Sequence, residues 1–216
     1  AKPTDIGIEL GFFNNDLTLS LDYFVKKNVD LLAQIDLNLS SGQIFEINSS
    51  REKPYVNTAS VKNTGWEFMM NYRKQLTKDF HIDATFNIAT LKNKVLSLGE
   101  NVQPITSGAM SSYFNDAPSI TMPGEAIGSF YGYKIDGFDA EGNFIFADMD
   151  KNGVVNANDK VILGSPIPDF TYGLNINMEY KDFDLTLFFQ GVQGNDIFNQ
   201  KKYTYYFDYS NNVVKE

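Results

Sequence analysis

The chain has no cysteine in its 216 residues, which excludes a disulfide scaffold, Cys-ligated metal sites and Cys nucleophiles. It has a single histidine, His81, so there is little room for a His-based zinc or catalytic site. Positive charge is also short: 18 Lys and Arg face 27 Asp and Glu, for a net charge of -9. With no basic patch to meet phosphates, nucleic acid is not expected as a partner. No run of about 18 apolar residues occurs, which excludes a membrane-spanning helix. It does not exclude a membrane β-barrel, whose strands need only about ten alternating residues each. The opening residues, AKPTDIGIELGFF, lack the succession of a signal peptide and run directly into a strand pattern.

What is present is apolar and aromatic. Hydrophobic residues make up 43%, with 18 Phe and 12 Tyr, enough for an ordered domain. Alternation is the dominant period. Ile6, Ile8, Leu10 and Phe12 share one face, and after Asn14–Asp16 the pattern resumes with Leu17, Leu19, Leu21, Tyr23 and Val25. A second hairpin is predicted from Trp66, Phe68, Met70 and Tyr72 through QLTKD to Phe80, Ile82, Ala84, Phe86 and Ile88. A third runs from Tyr172 to Tyr180, turns at Lys181 and Asp182, and returns through Phe183, Leu185, Leu187 and Phe189. The expectation is an all-β, antiparallel protein with about six long strands arranged as three hairpins.

Long Gly-, Asn- and Ser-rich stretches separate the hairpins: Asn28 to about Thr58, 92–169, and everything after Val192. Tight turns alternating with large loops, and aromatic residues at the tight turns (Phe12, Phe13, Tyr72, Phe80, Tyr180, Phe183), are features of an outer-membrane barrel. Strand 80–91 leaves a tight turn and strand 170–180 enters one, so 92–169 must begin and end on the long-loop side. GSFYGYKIDGF (128–138) is therefore read as extended structure within that excursion, and not as a further crossing. A soluble β-sandwich alternates in the same way. The barrel is favoured by a second face that carries Gly, Asn, Thr, Glu and Asp, as a watery lumen requires.

Within the excursion, DMDKNGVVNAND (148–159) has the spacing of a calcium loop. Asp148, Asp150, Asn152, Asn156 and Asp159 offer side-chain oxygens and Val154 a carbonyl, while Gly153 allows the sharp turn. Asp159 stands where such loops usually carry Glu. His81 reads as a solvated polar position. Glu67, Asp83, Glu179 and Asp184 read as lumen-facing carboxylates rather than an acid/base pair, so no enzyme is expected. Tyr113, Phe114, Phe130, Tyr131 and Tyr133 lie in the loop segments as candidates to stack on sugar rings.

Several stretches, DLTLSLDYFVKKNVDLL (16–32), SVKNTGWEFMMNYR (60–73), FNIATLKNKVLSLG (86–99), GEAIGSFYGYKIDGF (124–138) and 148–199 with its GSPIPDFTYGLN and FFQGVQGNDIFN elements, resemble the SusC/RagA family of TonB-dependent outer-membrane transporters. The resemblance implies a transmembrane β-barrel segment with long extracellular loops in the cell outer membrane of a Gram-negative bacterium. It further implies a SusD-like lipoprotein partner, coupling to TonB through a plug that this stretch does not contain, and import of glycan or peptide. On that reading 1–216 is part of a barrel, with 92–169 as a large extracellular region. The competing reading is a soluble calcium-dependent carbohydrate-binding β-sandwich.

Overall fold

A computed structural model of the protein describes residues 1–34, 55–99, 102–108 and 117–201. Three antiparallel hairpins build the main sheet, as the alternation predicts. Its strands are β1 (Lys2–Phe12), β2 (Leu17–Gln34), β3 (Tyr55–Thr77), β4 (Phe80–Thr90), β5 (Lys92–Ser97), β12 (Phe170–Tyr180) and β13 (Phe183–Gln193). The hairpins are β1–β2, β3–β4 and β12–β13. The spatial order is β1-β2-β3-β4-β12-β13, with β5 continuing the β4 ladder along β3. β4 and β12 are direct neighbours, with Thr90 opposite Phe170, so residues 92–169 leave and return at one end of the sheet.

Register converts alternation along each strand into two chemically distinct faces. Leu10, Leu19, Met70, Phe86, Leu174 and Phe189 form one row across all six strands. The row Phe12, Leu17, Tyr72, Ala84, Ile176 and Leu187 lies beside it. On the opposite face the corresponding row is Gly11, Thr18, Asn71, Thr85, Asn175 and Phe188. That face carries cross-strand polar links: Thr85 Oγ1 donates to Asn71 Oδ1 (2.6 Å), Thr186 Oγ1 donates to Asn177 Oδ1 (2.9 Å), and Arg73 pairs with Asp83 (2.7 Å). Rings mark both ends of the apolar face, with Tyr23 against Trp66 (4.7 Å between centroids) at one end and Phe80 edge-on to Tyr180 (6.3 Å) at the tight-turn end.

Among the described residues no second sheet covers the apolar face. Ile6 is 68% exposed and Leu185 50%. A water-soluble sandwich would place those side chains in its core. An eleven-residue strand such as β12 is about 36 Å long and, at the usual barrel tilt of about 40°, rises about 28 Å, which matches a hydrocarbon layer.

The strands β2 and β3 are longer than the sequence suggests. The predicted loop from Asn28 to about Thr58 is strand on both flanks, since β2 runs to Gln34 and β3 begins at Tyr55. The reason is a second, smaller core. Beyond Trp66 the apolar side of β3 becomes Thr64, Lys62 and Ser60, while the formerly polar side becomes Val61 and Ala59. Those two residues bury with Val95 and Leu98, and Leu31 and Val102 pack on them. A bulge between Asn28 and Leu31 in the β2–β3 ladder, where Asp30 has φ 58°, accompanies the change.

The 92–169 excursion contains its own structure. A four-stranded sheet has the order β11-β8-β7-β6, made of β6 (Ile105–Ser107), β7 (Ser119–Thr121), β8 (Ser129–Tyr133) and β11 (Lys160–Gly164). β9 (Ile135–Phe138) and β10 (Phe144–Phe146) form a separate two-stranded sheet. Residues 128–138 therefore do not cross the main sheet. The first residues of the expected loop, Lys92–Ser97, are strand of the main sheet, because they pair with the long β3, and the later part of the excursion docks on their other edge, where Val95 N–H donates to the Glu125 carbonyl (2.8 Å) and Gly124 N–H to the Val95 carbonyl (2.9 Å).

Gly65 illustrates how close the wall packs. A Cβ there would collide with the Thr90 carbonyl and come within 2.7 Å of the Phe24 ring, so the ring covers a glycine on the neighbouring strand. Gly65→Val is expected to destabilise the folded protein by about 1–3 kcal/mol, the range for overpacking, read as a lower unfolding midpoint in denaturant. Val introduced at the exposed Thr106 of β6 should leave that midpoint unchanged.

Candidate functional site

The carboxylate loop lies between β10 and β11, so both ends are held by sheet. Its residues fold because short acidic and amide side chains replace the missing backbone partners of a tight turn. The Asp148 carboxylate accepts the N–H groups of Asn152 (3.2 Å) and Gly153 (2.7 Å). Asp150 accepts Asn152 N–H (3.1 Å) and its Nδ2 (2.8 Å). Lys151 and Gly153 take the left-handed conformation, with φ 59° and 86°, so the sharp turn falls where the spacing places it.

Asp159 is the centre of the loop. It is fully buried, and its two oxygens accept the N–H groups of Met149 (2.8 Å), Asp150 (3.3 Å) and Asn156 (2.7 Å). The Asn156 N–H, ahead of those of Asp150 and Met149, holds this carboxyl below the usual carboxylate range against the burial that raises it. Asn156 Oδ1 in turn accepts Asn158 N–H (2.9 Å), capping the 3-10 turn Ala157–Asp159. The chain thus makes a capping box across Asn156 and Asp159, two positions that the spacing also assigns to the calcium loop.

One carboxylate oxygen each from Asp148, Asp150 and Asp159 lies within 4.8 Å of the other two. Oxygens sharing one Ca²⁺ at 2.3–2.6 Å are at most about 5 Å apart, so the three can serve a single ion. Asn152 Oδ1 accepts Val154 N–H (2.8 Å), and the Val154 carbonyl accepts Asn156 Nδ2 (3.1 Å). The structure therefore brings all six of Asp148, Asp150, Asn152, Val154, Asn156 and Asp159 into one hydrogen-bonded loop.

The aromatic candidates are distributed differently. Tyr113 and Phe114 lie outside the described residues. Tyr131 and Tyr133 are half-buried on β8, opposite Ile162 and Lys160 of β11. The Tyr133 ring packs on Phe146 of β10 (5.5 Å) and has Lys160 Nζ above it (5.2 Å), so it joins the two small sheets beside the residue that follows Asp159. Phe130 packs near Phe198 (6.3 Å). Of the polar-face residues, Asp83 pairs with Arg73, while Gln75, His81, Glu179 and Asp184 form one row across four strands.

A second side-chain arrangement joins the excursion to the main sheet. Ser165 N–H donates to Asp196 Oδ2 (3.0 Å), and Asp196 N–H donates to the Ser165 carbonyl (2.7 Å). Both residues belong to the GSPIPDF and QGND segments, whose pairing 31 residues apart no local period signals.

No protein-family model matches the sequence. Individual proteins do. The chain is 35% identical over 215 residues to TonB-dependent receptor P3 of Formosa agariphila, a match covering 92% of this chain and 21% of that receptor. It is 29% identical over 206 residues to TonB-dependent receptor SusC of Bacteroides thetaiotaomicron, covering 89% of this chain and 19% of SusC. In fold it is similar to the RagAB peptide importer in its open-open state, with TM-score 0.71 and 21% identity over 89% of this chain and 20% of that one. A second structure of the RagAB peptide transporter matches with TM-score 0.70 over 94% and 22% of the two chains. The chain spans about a fifth of the length of these relatives. The relatives are named as receptors and transporters. An unclosed wall of paired strands, apolar on one face and polar on the other, together with these relatives, places the chain in the SusC/RagA family of TonB-dependent receptors, as a stretch of the β-barrel.

Proposed function

We propose that this chain supplies wall and rim to an outer-membrane, TonB-dependent importer of glycan or peptide in a Gram-negative bacterium, working with a SusD-like surface lipoprotein. The observation that carries the reading is the row structure of the main sheet. Six strands in one register present an exposed apolar face between two aromatic belts, backed by a face of Asn, Thr, Glu, Arg and Asp. Lipid on the first face and water on the second satisfy both. The excursion 92–169 is then extracellular, because the tight turns are at the other end of the wall. RagAB is described as a peptide importer, which supports peptide as one substrate class. Glycan remains the other, with Tyr131 as an aromatic surface for it.

Opposite faces of one strand test this. In the full receptor Leu174→Arg places a charge at mid-wall on the lipid side, at an expected cost of about 2–4 kcal/mol in folding into bilayers. Asn175→Arg, on the lumen side, is expected to fold as the wild type. Equal effects at the two positions, or a receptor that stays monodisperse without detergent, would overturn the wall assignment in favour of a soluble sandwich.

For the carboxylate loop we propose a Ca²⁺ ion held by Asp148, Asp150 and Asp159, with the Asn152 and Asn156 side chains and the Val154 carbonyl completing the site; the ion would rigidify the loop. The mutual reach of the three carboxylates supports it. Calorimetric titration of the receptor with CaCl₂ is expected to show one site that Asp150→Ala abolishes, and no heat at millimolar Ca²⁺ would remove the claim.

The loop's own stability has a signed pH dependence. Because the Asp159 carboxyl is held below its ordinary value of 3.8, its contribution is complete above that value. It is lost as pH falls through the lower, folded value. Hydrogen exchange of the Met149 and Asn156 amides should therefore stay slow at neutral and mildly acidic pH, and should become fast in Asp159→Ala throughout.

A further inference from the structure

The segments GSPIPD (164–169) and QGND (193–196) each place an aspartate over a glycine of the other. A Cβ on Gly164 would collide with the Asp196 carboxylate, and a Cβ on Gly194 would collide with that of Asp169. Gly194 also has φ 87°, a conformation costly for any other L-residue. Backbone bonds close the arrangement. Ser165 N–H donates to Asp196 Oδ2 (3.0 Å) and Asp196 N–H to the Ser165 carbonyl (2.7 Å). Asp169 N–H donates to the Gln193 carbonyl (3.0 Å), and Leu91 N–H to the Asp169 carbonyl (3.2 Å). Ser165 Oγ accepts Ile167 N–H (3.1 Å), stiffening the two-proline turn between the two contacts.

The position of this contact gives it a role. Residues 164–169 are the only covalent link from the small sheet back to β12, and 193–196 follow immediately on β13. We infer that the two segments form a reciprocal Asp-over-Gly clasp that fixes the excursion's four-stranded sheet to the barrel wall, and that the clasp stays shut while the receptor works, so the small sheet is a static part of the rim. Asp196 acts as a positioning residue, through the Ser165 backbone. The second half of the inference rests on the importer reading above; the first half does not.

The test uses the full receptor in detergent and in cells. In Asp196→Ala the Ser165 amide is expected to exchange about tenfold faster, the effect of one lost hydrogen bond to a charged acceptor. Asp196→Asn, which keeps an acceptor oxygen, is expected to retain most of the protection. The amides of Leu174 and Thr186 on β12 and β13 should be unaffected in both. Unchanged exchange at Ser165, or equal loosening of the two strands, would overturn the clasp. The pair Gly164→Cys with Asp196→Cys then probes whether it opens, since the Cβ atoms would be 3.2 Å apart, within a few tenths of an ångström of disulfide geometry. This stretch has no other cysteine. The disulfide is expected to form in the periplasm and to leave uptake at the wild-type level. A disulfide that forms and stops uptake would overturn the static rim. Failure of the wild-type receptor to import would remove the importer reading while leaving the exchange result standing.

Discussion

Cross-strand register is the constraint from which the rest of the structure follows. In β1 to β4, β12 and β13 the backbone ladders align so that one face carries continuous apolar rows, such as Leu10, Leu19, Met70, Phe86, Leu174 and Phe189. A slip of one residue in any ladder would send that strand's entire apolar set to the other face. The tight turns hold the register. In the β12–β13 turn Lys181 takes φ 55°, the conformation a two-residue hairpin demands at its first position, and its N–H donates across to the Asp79 carbonyl of the preceding turn (2.9 Å). Adjacent hairpins are thereby tied at the tight-turn end as well as along their length.

The same ladder explains the change in character along β3. With 23 residues it is about 75 Å long, roughly twice what a tilted crossing needs. Where the apolar stripe ends at Trp66 the two faces exchange chemistry, because the surroundings change. Lys62 and Ser60 continue the side that held Phe68, and Val61 and Ala59 continue the side that held Glu67. The small core of Val61, Ala59, Val95 and Leu98 forms there between β3 and its neighbour β5, with Leu31 and Val102 packed on it, an inward burial that the wall lacks.

Carboxylates do structural work at the rim through backbone N–H groups. Asp159 accepts three of them, and Asp148 two. In the tip of the β9–β10 hairpin, Asp139 accepts those of Glu141 (3.0 Å) and Asn143 (2.7 Å). Each carboxylate stands in for the ladder partner that a turn cannot provide, and charge strengthens each bond. An acidic loop region therefore needs no catalytic explanation, and its high Asp and Asn content is consistent with compact turns.

Alternation in Ile6–Phe12, Leu17–Val25, Trp66–Tyr72, Phe80–Ile88 and Tyr172–Phe189 was legible because a period of two is local, so the sequence by itself determined the strands of the wall, their faces, and the side to which 92–169 returns. The spacing of 148–159 likewise determined a loop that converges its carboxylates, since Gly153 and the Asx turns act within a few residues. The flanks of the predicted loop 28–58 were misread because Leu31 and Ala59 lie in stretches with no clear alternation, and they become strand by burying against Val95. Only the tertiary structure decided the four-stranded sheet in the excursion, the use of Asn156 as a cap, and the contact of Ser165 with Asp196. The physical reason is that each depends on a partner chosen by the folded path of the chain, at separations over which side-chain period carries no information.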